Sequence, residues 1–214
     1  MHSYRRVIGF VPQDDILHEN LTPKDSFRLV SGLRLPSHYT YRQRKELVNN
    51  VLMLLDLEKI RHQRIGNAKE RGISGGQRKR VNIGIELVAD PWMLFLDEPT
   101  SGLDSAGAFK VVSILRKLAN LGLTVVCVLH QPRVSIFNML DDVILLGSGG
   151  RLVYSGPRRK ATTYFKTMGF EMSDGNLNPA DWLTDVVAGE VRSRSHKSLS
   201  SSKVSACESR RTSY

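Results

Sequence analysis

Several features that define other protein classes are scarce or absent in this 214-residue chain. It has two cysteines, Cys127 and Cys207, whose wide separation predicts neither a disulfide framework nor a metal site. The first of these stands in an apolar run, and we interpret it as a core residue. No apolar run approaches the roughly 20 residues of a membrane helix, and the N-terminus lacks the apolar stretch of a secretory signal. We therefore expect a soluble, cytosolic chain, unless a partner carries it to a membrane.

A phosphate-binding loop of the form GxxxxGK[ST] is also absent, because none of the 17 glycines is followed by lysine. The net charge of +10 is unevenly spread, since residues 192–214 hold six Lys or Arg, one Glu and nine Ser. We predict that residues 191–214 are a disordered tail, because they bury too little apolar surface to offset the entropy of ordering. Three roles stay open for it: a solvated linker, a phosphorylation-rich linker, or a contact with anionic lipid headgroups.

Strand and helix patterns alternate up to about residue 190, which predicts an α/β fold. Strand 124–129 is rich in β-branched residues, and we expect it to be buried and to lie beside strand 92–96. The predicted strands cover residues 7–11, 92–96, 124–129, 143–146 and 151–154, the last two as a hairpin. The predicted helices cover residues 40–57, 74–88, 105–121 and 178–187.

Two adjacent carboxylates, Asp97 and Glu98, end the apolar strand 92–96. Ligands of open α/β sheets bind at this end of the strands. Neighbouring side chains on a strand point apart, so one acid can hold Mg²⁺ while the other polarises a water as a general base. The alternative is a pair of exposed turn acids, which the following residues "DEPTSGLD" disfavour.

Two further polar residues follow strands. His130 ends strand 124–129, where it can donate a hydrogen bond to a phosphate oxygen or serve the structure alone. Gln13 follows strand 7–11, where its amide can contact Mg²⁺ or orient water. Next to it, Asp14 and Asp15 are candidates to cap the following segment.

The stretch "GISGGQRKR" opens the helix predicted at 74–88. Ser74 can cap this helix, and Gly75 and Gly76 let backbone N–H groups approach an anion, which the helix dipole also favours. An ordinary glycine-rich turn with a cap is the alternative. Helical geometry sends the three basic residues, 78–80, in different directions, so we expect at least one on a solvated face.

These elements, in this order, resemble the nucleotide-binding domain of an ATP-binding cassette (ABC) transporter. The motifs "GFVPQDD", "ISGGQRKRVNIG", "DEPTSGLDS", "HQP" and "NPADWLTDVVAGE" resemble its G subfamily, the white or pleiotropic-drug-resistance-like half-transporters. The resemblance covers about residues 7–190. Its motifs fall on Gln13 (Q-loop), Ser74, Gly75, Gly76 and Gln77 (signature), 92–98 (Walker B), Ser101, Gly102, Leu103 and Asp104 (D-loop), and His130 (switch histidine).

The resemblance implies a role for each matched position. Asp97 would hold Mg²⁺ with Gln13, and Glu98 would be the catalytic base. His130 would contact the γ-phosphate of ATP. The signature residues, among them Ser74 and Gly76, would meet the nucleotide held by an opposite subunit, and the D-loop would lie at that dimer interface. The implied fold is a P-loop NTPase-type domain with a mostly parallel sheet and a helical subdomain at about 20–90.

The resemblance also implies partners and a location. They are a second nucleotide-binding domain, the transmembrane domains of the full-length protein, and the cytoplasmic side of a membrane. Because the Walker A motif is missing, we expect residues 1–190 to be a partial domain that begins just before the Q-loop. Alone, such a chain is not expected to bind ATP tightly or to hydrolyse it, and its sheet is expected to expose apolar surface. The alternatives are a non-catalytic partner of a complete subunit and, less favoured, a ribosome- or DNA-acting ABC protein; no nucleic acid is expected.

Overall fold

The computed structural model describes residues 7–66, 72–172 and 178–191. The chain divides into two compact units, residues 1–130 and 131–214. Except for Val191, the predicted tail lies outside the described residues. Unit 1 contains β1 (Ile8–Val11), α1 (Pro23–Arg34), α2 (Tyr41–Leu54), α3 (Gly75–Leu87), β2 (Met93–Asp97), α4 (Ser105–Asn120) and β3 (Thr124–Val128). Unit 2 contains α5 (Val134–Phe137), β4 (Asp142–Leu146), β5 (Leu152–Pro157), α6 (Arg158–Thr167) and α7 (Pro179–Ala188).

The sheet of unit 1 has three parallel strands in the order β1-β2-β3. Phe10 lies opposite Phe95, and Phe95 opposite Val126, so the three strands end at the same edge of the sheet. Helix α4 connects β2 to β3, as the crossover between neighbouring parallel strands requires. The α/β class and the pairing of β2 with β3 are therefore confirmed.

Side-chain caps fix where the helices of unit 1 begin. Thr40 and Ser74 form reciprocal capping boxes with Gln43 and Gln77, three residues further on. Asp104 caps α4 by accepting a hydrogen bond from the N–H of Gly107. The start of each helix is thus set by its own local sequence, and two of these starts carry residues of the candidate site.

One face of the sheet packs on the helices, and the other is exposed. Leu94 and Leu96 are buried on the packed face, where half-buried Cys127 also contacts the core; burial raises the pKa of its thiol. On the opposite face Phe10 is 57 % exposed and Val128 58 % exposed. The prediction of a buried strand at 124–129 is therefore wrong for one face, because Val126 and Val128 on that side of β3 are exposed.

Because this face is apolar and exposed, we expect the chain to self-associate and polar substitutions on the face to reduce that self-association. Phe10 and Val126 lie in one row across the sheet, on either side of Phe95. Phe10→Thr with Val126→Thr keeps strand propensity and removes exposed apolar area. We expect lower binding of a hydrophobic dye, less self-association in light scattering, and a free energy of unfolding changed by only about 0.5 kcal/mol. Leu94→Thr on the packed face is the control and should destabilise strongly; equal destabilisation by both variants would contradict the exposure of this face.

The described part of unit 2 combines a hairpin with three helices, of which α5 is a single turn. Strands β4 and β5 pair antiparallel, which confirms the predicted hairpin. Its core is aromatic: Tyr154, Phe165 and Trp182 are buried, with Phe165 and Trp182 packed edge to face. Asn178 caps α7, and Gly189 ends that helix in the left-handed conformation. None of the described helices combines the length and apolarity needed to cross a membrane.

Candidate functional site

The strand-end site is formed by Gln13, Asp97, Glu98 and His130, at the carboxyl edge of the three-stranded sheet. β1 delivers Gln13, β2 delivers the two acids, and β3 is followed by His130. The Nε2 of Gln13 donates to the Oε2 of Glu98 over 2.9 Å, which joins residues that are 85 positions apart. His130 is exposed at the end of β3. The sheet thus brings the four predicted residues to one edge and puts two of them in direct contact.

The backbone turns sharply where the site begins. Glu98 has a φ of +42°, and so does Gln131, directly after His130. Residues other than glycine adopt positive φ at a cost of the order of 1–3 kcal/mol, and such positions cluster at active sites. This turn comes directly after Asp97, the last residue of β2, so the two adjacent acids are held by different backbone conformations.

The second part of the site is the glycine pocket, a cavity of about 210 Å³. Its lining comes from the starts of α3 and α4 and the loop before α4: Ser74, Gly75, Gly76, Arg80, Gly102, Leu103, Asp104, Gly107 and Lys110. A β-carbon at Gly75 would lie 3.6 Å from Leu103, and one at Gly76 would lie 3.8 Å from the Cα of Gly107. Both are ordinary van der Waals distances, so the two helix starts lie next to each other at these glycines.

The pocket concentrates positive potential. Helix geometry leaves the N–H groups of Gly75 and Gly76 without partners inside the helix, and both helices direct the positive end of their dipoles here. Arg80 and Lys110 also line the pocket, and both pair with the carboxylate of Asp56. The free N–H groups at the helix starts therefore supply the pocket's attraction for an anion. Gln77, by contrast, accepts from the N–H of Ser74 over 2.8 Å, so the structure uses its side chain as a cap.

The three basic residues that follow the glycines are largely withdrawn from solvent. Arg80 is 6 % exposed and donates to the carbonyl oxygens of Leu55 and Asp56 at 2.8 and 2.9 Å, where α2 ends. Lys79 is 3 % exposed, and half-buried Arg78 donates to the carbonyl of Gly66. The expectation of a residue on a solvated face is therefore wrong, because these side chains satisfy the carbonyl groups of the loops around α3.

Comparison with known proteins now decides the family. The family model of the ABC transporter matches residues 1–101, and that of the ABC-2 type transporter matches residues 130–207. ABC transporter G family member 28 of Arabidopsis thaliana is 42 % identical over 90 % of this chain, and the chain spans 17 % of that relative. The broad substrate specificity ATP-binding cassette transporter ABCG2 of Mus musculus is 43 % identical over 85 % of this chain, which spans 27 % of it. The chain belongs to the ABC transporter family, in its G subfamily.

The structure brings together residues that the sequence predicts to belong to different motifs. The strand-end site joins Gln13, predicted as the Q-loop residue, to Glu98, predicted as the end of Walker B, by a hydrogen bond. The glycine pocket brings the residues predicted as the signature and the D-loop together within one chain. The chain spans 14 % to 28 % of the length of such curated relatives.

Motif spacing did not reveal Lys110, which lines the glycine pocket, or its partner Asp56. Lys110 lies on α4, and its ammonium group pairs with Asp56, which also accepts from Arg80 over 3.4 Å. Asp56 has a φ of +52°. The hydrogen bond from Lys110, helped by the opposite charges of Lys110 and Arg80 and opposed by desolvation, holds the pKa of this carboxyl below its ordinary value of 3.8.

The pairing of Asp56 predicts a defined pH dependence. A carboxyl with a lowered pKa stabilises the fold fully above its ordinary pKa of 3.8, and this contribution disappears as the pH falls through the lower folded value. Asp56→Asn is the appropriate variant, since Asn tolerates positive φ. We expect urea unfolding to show it less stable than wild type at pH 7 and pH 5, with the difference shrinking below pH 4. A difference that grows on acidification would contradict the pairing.

Proposed function

We propose that this chain supplies the water-activating and signature parts of a G-type ABC ATPase domain, in a protein that couples ATP hydrolysis to transport across a membrane. The observation that carries the proposal is the 2.9 Å hydrogen bond between Gln13 and Glu98 at the end of β2. It holds one oxygen of Glu98 and leaves the carboxylate's other oxygen to accept a proton from water. A carboxylate fixed in this way is suited to act as a general base.

A Mg²⁺ ion is the metal that the strand-end site fits. The described residues contain no group of three His, Cys, Asp or Glu that could hold a metal unaided. Mg²⁺ needs no such group, because it usually binds through one or two carboxylates together with phosphate oxygens and water. Asp97 and the amide oxygen of Gln13 offer oxygen ligands of this type. The ion would neutralise phosphate charge, and His130 would donate to a phosphate oxygen of ATP.

The glycine pocket is the part that would meet a nucleotide bound by a second subunit. The N–H groups of the two helix starts and Ser74 line a cavity of about 210 Å³, enough for a phosphate group. The exposed positions of Ser74, Gly102 and Asp104 support contact with another nucleotide-binding domain. In this proposal the chain acts beside such a partner and near transmembrane domains, on the cytoplasmic side of a membrane.

A chimera tests the proposed function directly. The matching 182 residues of mouse ABCG2 would be replaced by the corresponding segment of this chain, and phosphate release would be measured with ATP and Mg²⁺. We expect Mg²⁺-dependent turnover from the chimera and none from the isolated 214-residue chain, which has no GxxxxGK[ST] sequence. Turnover by the isolated chain, or a folded chimera without turnover, would contradict the proposal.

A second candidate is a regulatory partner that offers its glycine pocket to a complete subunit without hydrolysing ATP itself. The exposure of Ser74, Gly75 and Asp104 at the pocket favours it, since these residues are accessible to another chain. Co-purification of the 214-residue chain with a complete G-type subunit, and a changed ATPase rate of that subunit, would support this role. An unchanged ATPase rate of the complete subunit would contradict the regulatory role and favour the first proposal.

A further inference from the structure

A buried lysine on α3 contacts the segment that follows β1. Lys79 is only 3 % exposed, and its Nζ donates to the backbone carbonyl of Gln13 over 2.8 Å. The same Nζ forms an ion pair with Asp15, also at 2.8 Å. Lysine is almost never fully buried unless it is paired, because removing its charge from water is costly. These two acceptors therefore compensate for the loss of hydration of the buried Lys79 ammonium group.

Asn82 adds a third contact from the same helix. Its Nδ2 donates to the Oδ1 of Asp15 over 3.1 Å, the oxygen that also pairs with Lys79. Residues three apart on a helix face the same side, so Lys79 and Asn82 together grip one carboxylate. The interpretation of Asp15 as a cap for the following segment is thus wrong: its partners lie on α3, 67 positions away in the case of Asn82.

This clamp, formed by Lys79, Asn82 and Asp15, bears directly on the strand-end site. Lys79 holds the backbone carbonyl of Gln13, while the side chain of the same residue donates to Glu98. α3 begins at the Ser74 cap of the glycine pocket. A continuous path of contacts thus runs from the helix that starts at that pocket, through Lys79 and Gln13, to Glu98.

We propose that Lys79 is a positioning residue, which fixes the backbone at Gln13 and thereby aims the Gln13 amide at Glu98. Because Lys79 is only 3 % exposed, it acts through Gln13 and not by contact with a nucleotide. The proposal rests on the proposed function, in which Glu98 is the base and Gln13 its neighbour. In that setting the clamp makes the orientation of the base depend on the position of α3, so a shift of the helix start is transmitted to Glu98.

A purely structural ion pair is the competing explanation, and α3 offers a matched control for it. On the same helix, Glu86 accepts from Arg34 over 2.7 Å and from the N–H of Phe10 over 3.3 Å. This pair also ties α3 to its neighbours, but it does not contact Gln13. Arg34→Gln therefore weakens the anchoring of α3 without removing any bond to the Gln13 carbonyl.

The test follows the Gln13 side chain in the full 214-residue chain by NMR. The Nε2 resonances of Gln13 are assigned by their loss in Gln13→Glu, and their solvent exchange is measured by magnetisation transfer from water. We expect Lys79→Met to accelerate this exchange about fivefold, as loss of one hydrogen bond would. Asn82→Ala should accelerate it by a smaller factor, about twofold, because it loosens Asp15 alone. In Arg34→Gln the exchange rate should stay at the wild-type value.

The outcomes separate the two explanations. Unchanged Gln13 exchange in a folded Lys79→Met protein, or equal acceleration in Arg34→Gln, would overturn the positioning role. If Lys79→Met does not fold, Asn82→Ala decides, and unchanged exchange in that variant overturns the role as well. Because the measurement needs no nucleotide, it is independent of the chimera. An inactive chimera together with the expected exchange rates would contradict the proposed function and leave the positioning result standing.

Discussion

Glu98→Gln in the chimera with mouse ABCG2 is expected to lower the rate of ATP hydrolysis by about 10²- to 10⁴-fold, the contribution of a general base. Gln has nearly the same shape as Glu, and its amide oxygen can still accept the hydrogen bond that Gln13 donates to position 98. The positive φ of residue 98 is unaffected by this change. Folding and ATP binding should therefore be retained while the ability to take a proton from water is lost. Phosphate release at saturating ATP is the measurement.

Glu58→Gln is the matched control for this loss. It makes the same chemical change at an exposed position of a 3₁₀ turn, outside both parts of the site. The control should keep the rate of the unmodified chimera. A Glu98→Gln chimera that retains more than about a tenth of the rate would show that Glu98 is not the base, and the strand-end site would then need another proton acceptor.

Local sequence was sufficient for most elements and for the placement of the site. Ser74 and Asp104 indicate the starts of α3 and α4 as caps, and apolar runs indicate β1, β2 and β3. The polar residues that follow these strands, Gln13, Glu98 and His130, are the predicted residues of the strand-end site. α1 was missed although Thr22, Pro23 and Asp25 carry the same kind of start signal, with a cap, a proline in the first turn and an acid. α6 was also missed, since no side chain caps its start after Pro157.

Contacts that depend on packing could not be predicted in this way. Whether β3 is buried on one face or two depends on which elements cover the sheet, and the β-branched pattern is the same in both cases. Likewise, Lys79 and Gln13 are 66 positions apart, and nothing in their spacing indicates a contact. Basic residues beside glycines suggest phosphate binding, yet α3 turns Lys79 and Arg80 toward loop carbonyls. The sequence thus predicts the reactive residues at strand and helix ends better than the long-range contacts that hold them in place.

Phe27→Ala is expected to lower the free energy of unfolding by about 3–5 kcal/mol, the usual cost of removing a buried aromatic ring. Phe27 on α1 is completely buried and packs against the middle of α3 at Gly84. A β-carbon at Gly84 would stand 2.6 Å from Cε1 of Phe27 and 2.8 Å from Cδ1 of buried Leu55. Gly84→Ala alone should therefore cost about 1–3 kcal/mol through overpacking. Chemical denaturation followed by circular dichroism measures both.

The two changes together should show that the glycine and the ring are fitted to each other. Once Phe27 is alanine, the end of the Leu55 side chain can move into the space of the lost ring and make room for the methyl group at position 84. The helix propensity of alanine then contributes up to about 1 kcal/mol. Gly84→Ala should then stabilise the Phe27→Ala background, a reversal of sign that a double-mutant cycle measures. Gly32→Ala, which places its methyl group in open space on α1 itself, should stabilise both backgrounds equally. Additive effects of Phe27→Ala and Gly84→Ala would mean that this ring does not set the distance between α1 and α3. α3 begins at the glycine pocket and carries Lys79, so the distance between α1 and α3 also affects the positions of residues in both parts of the site.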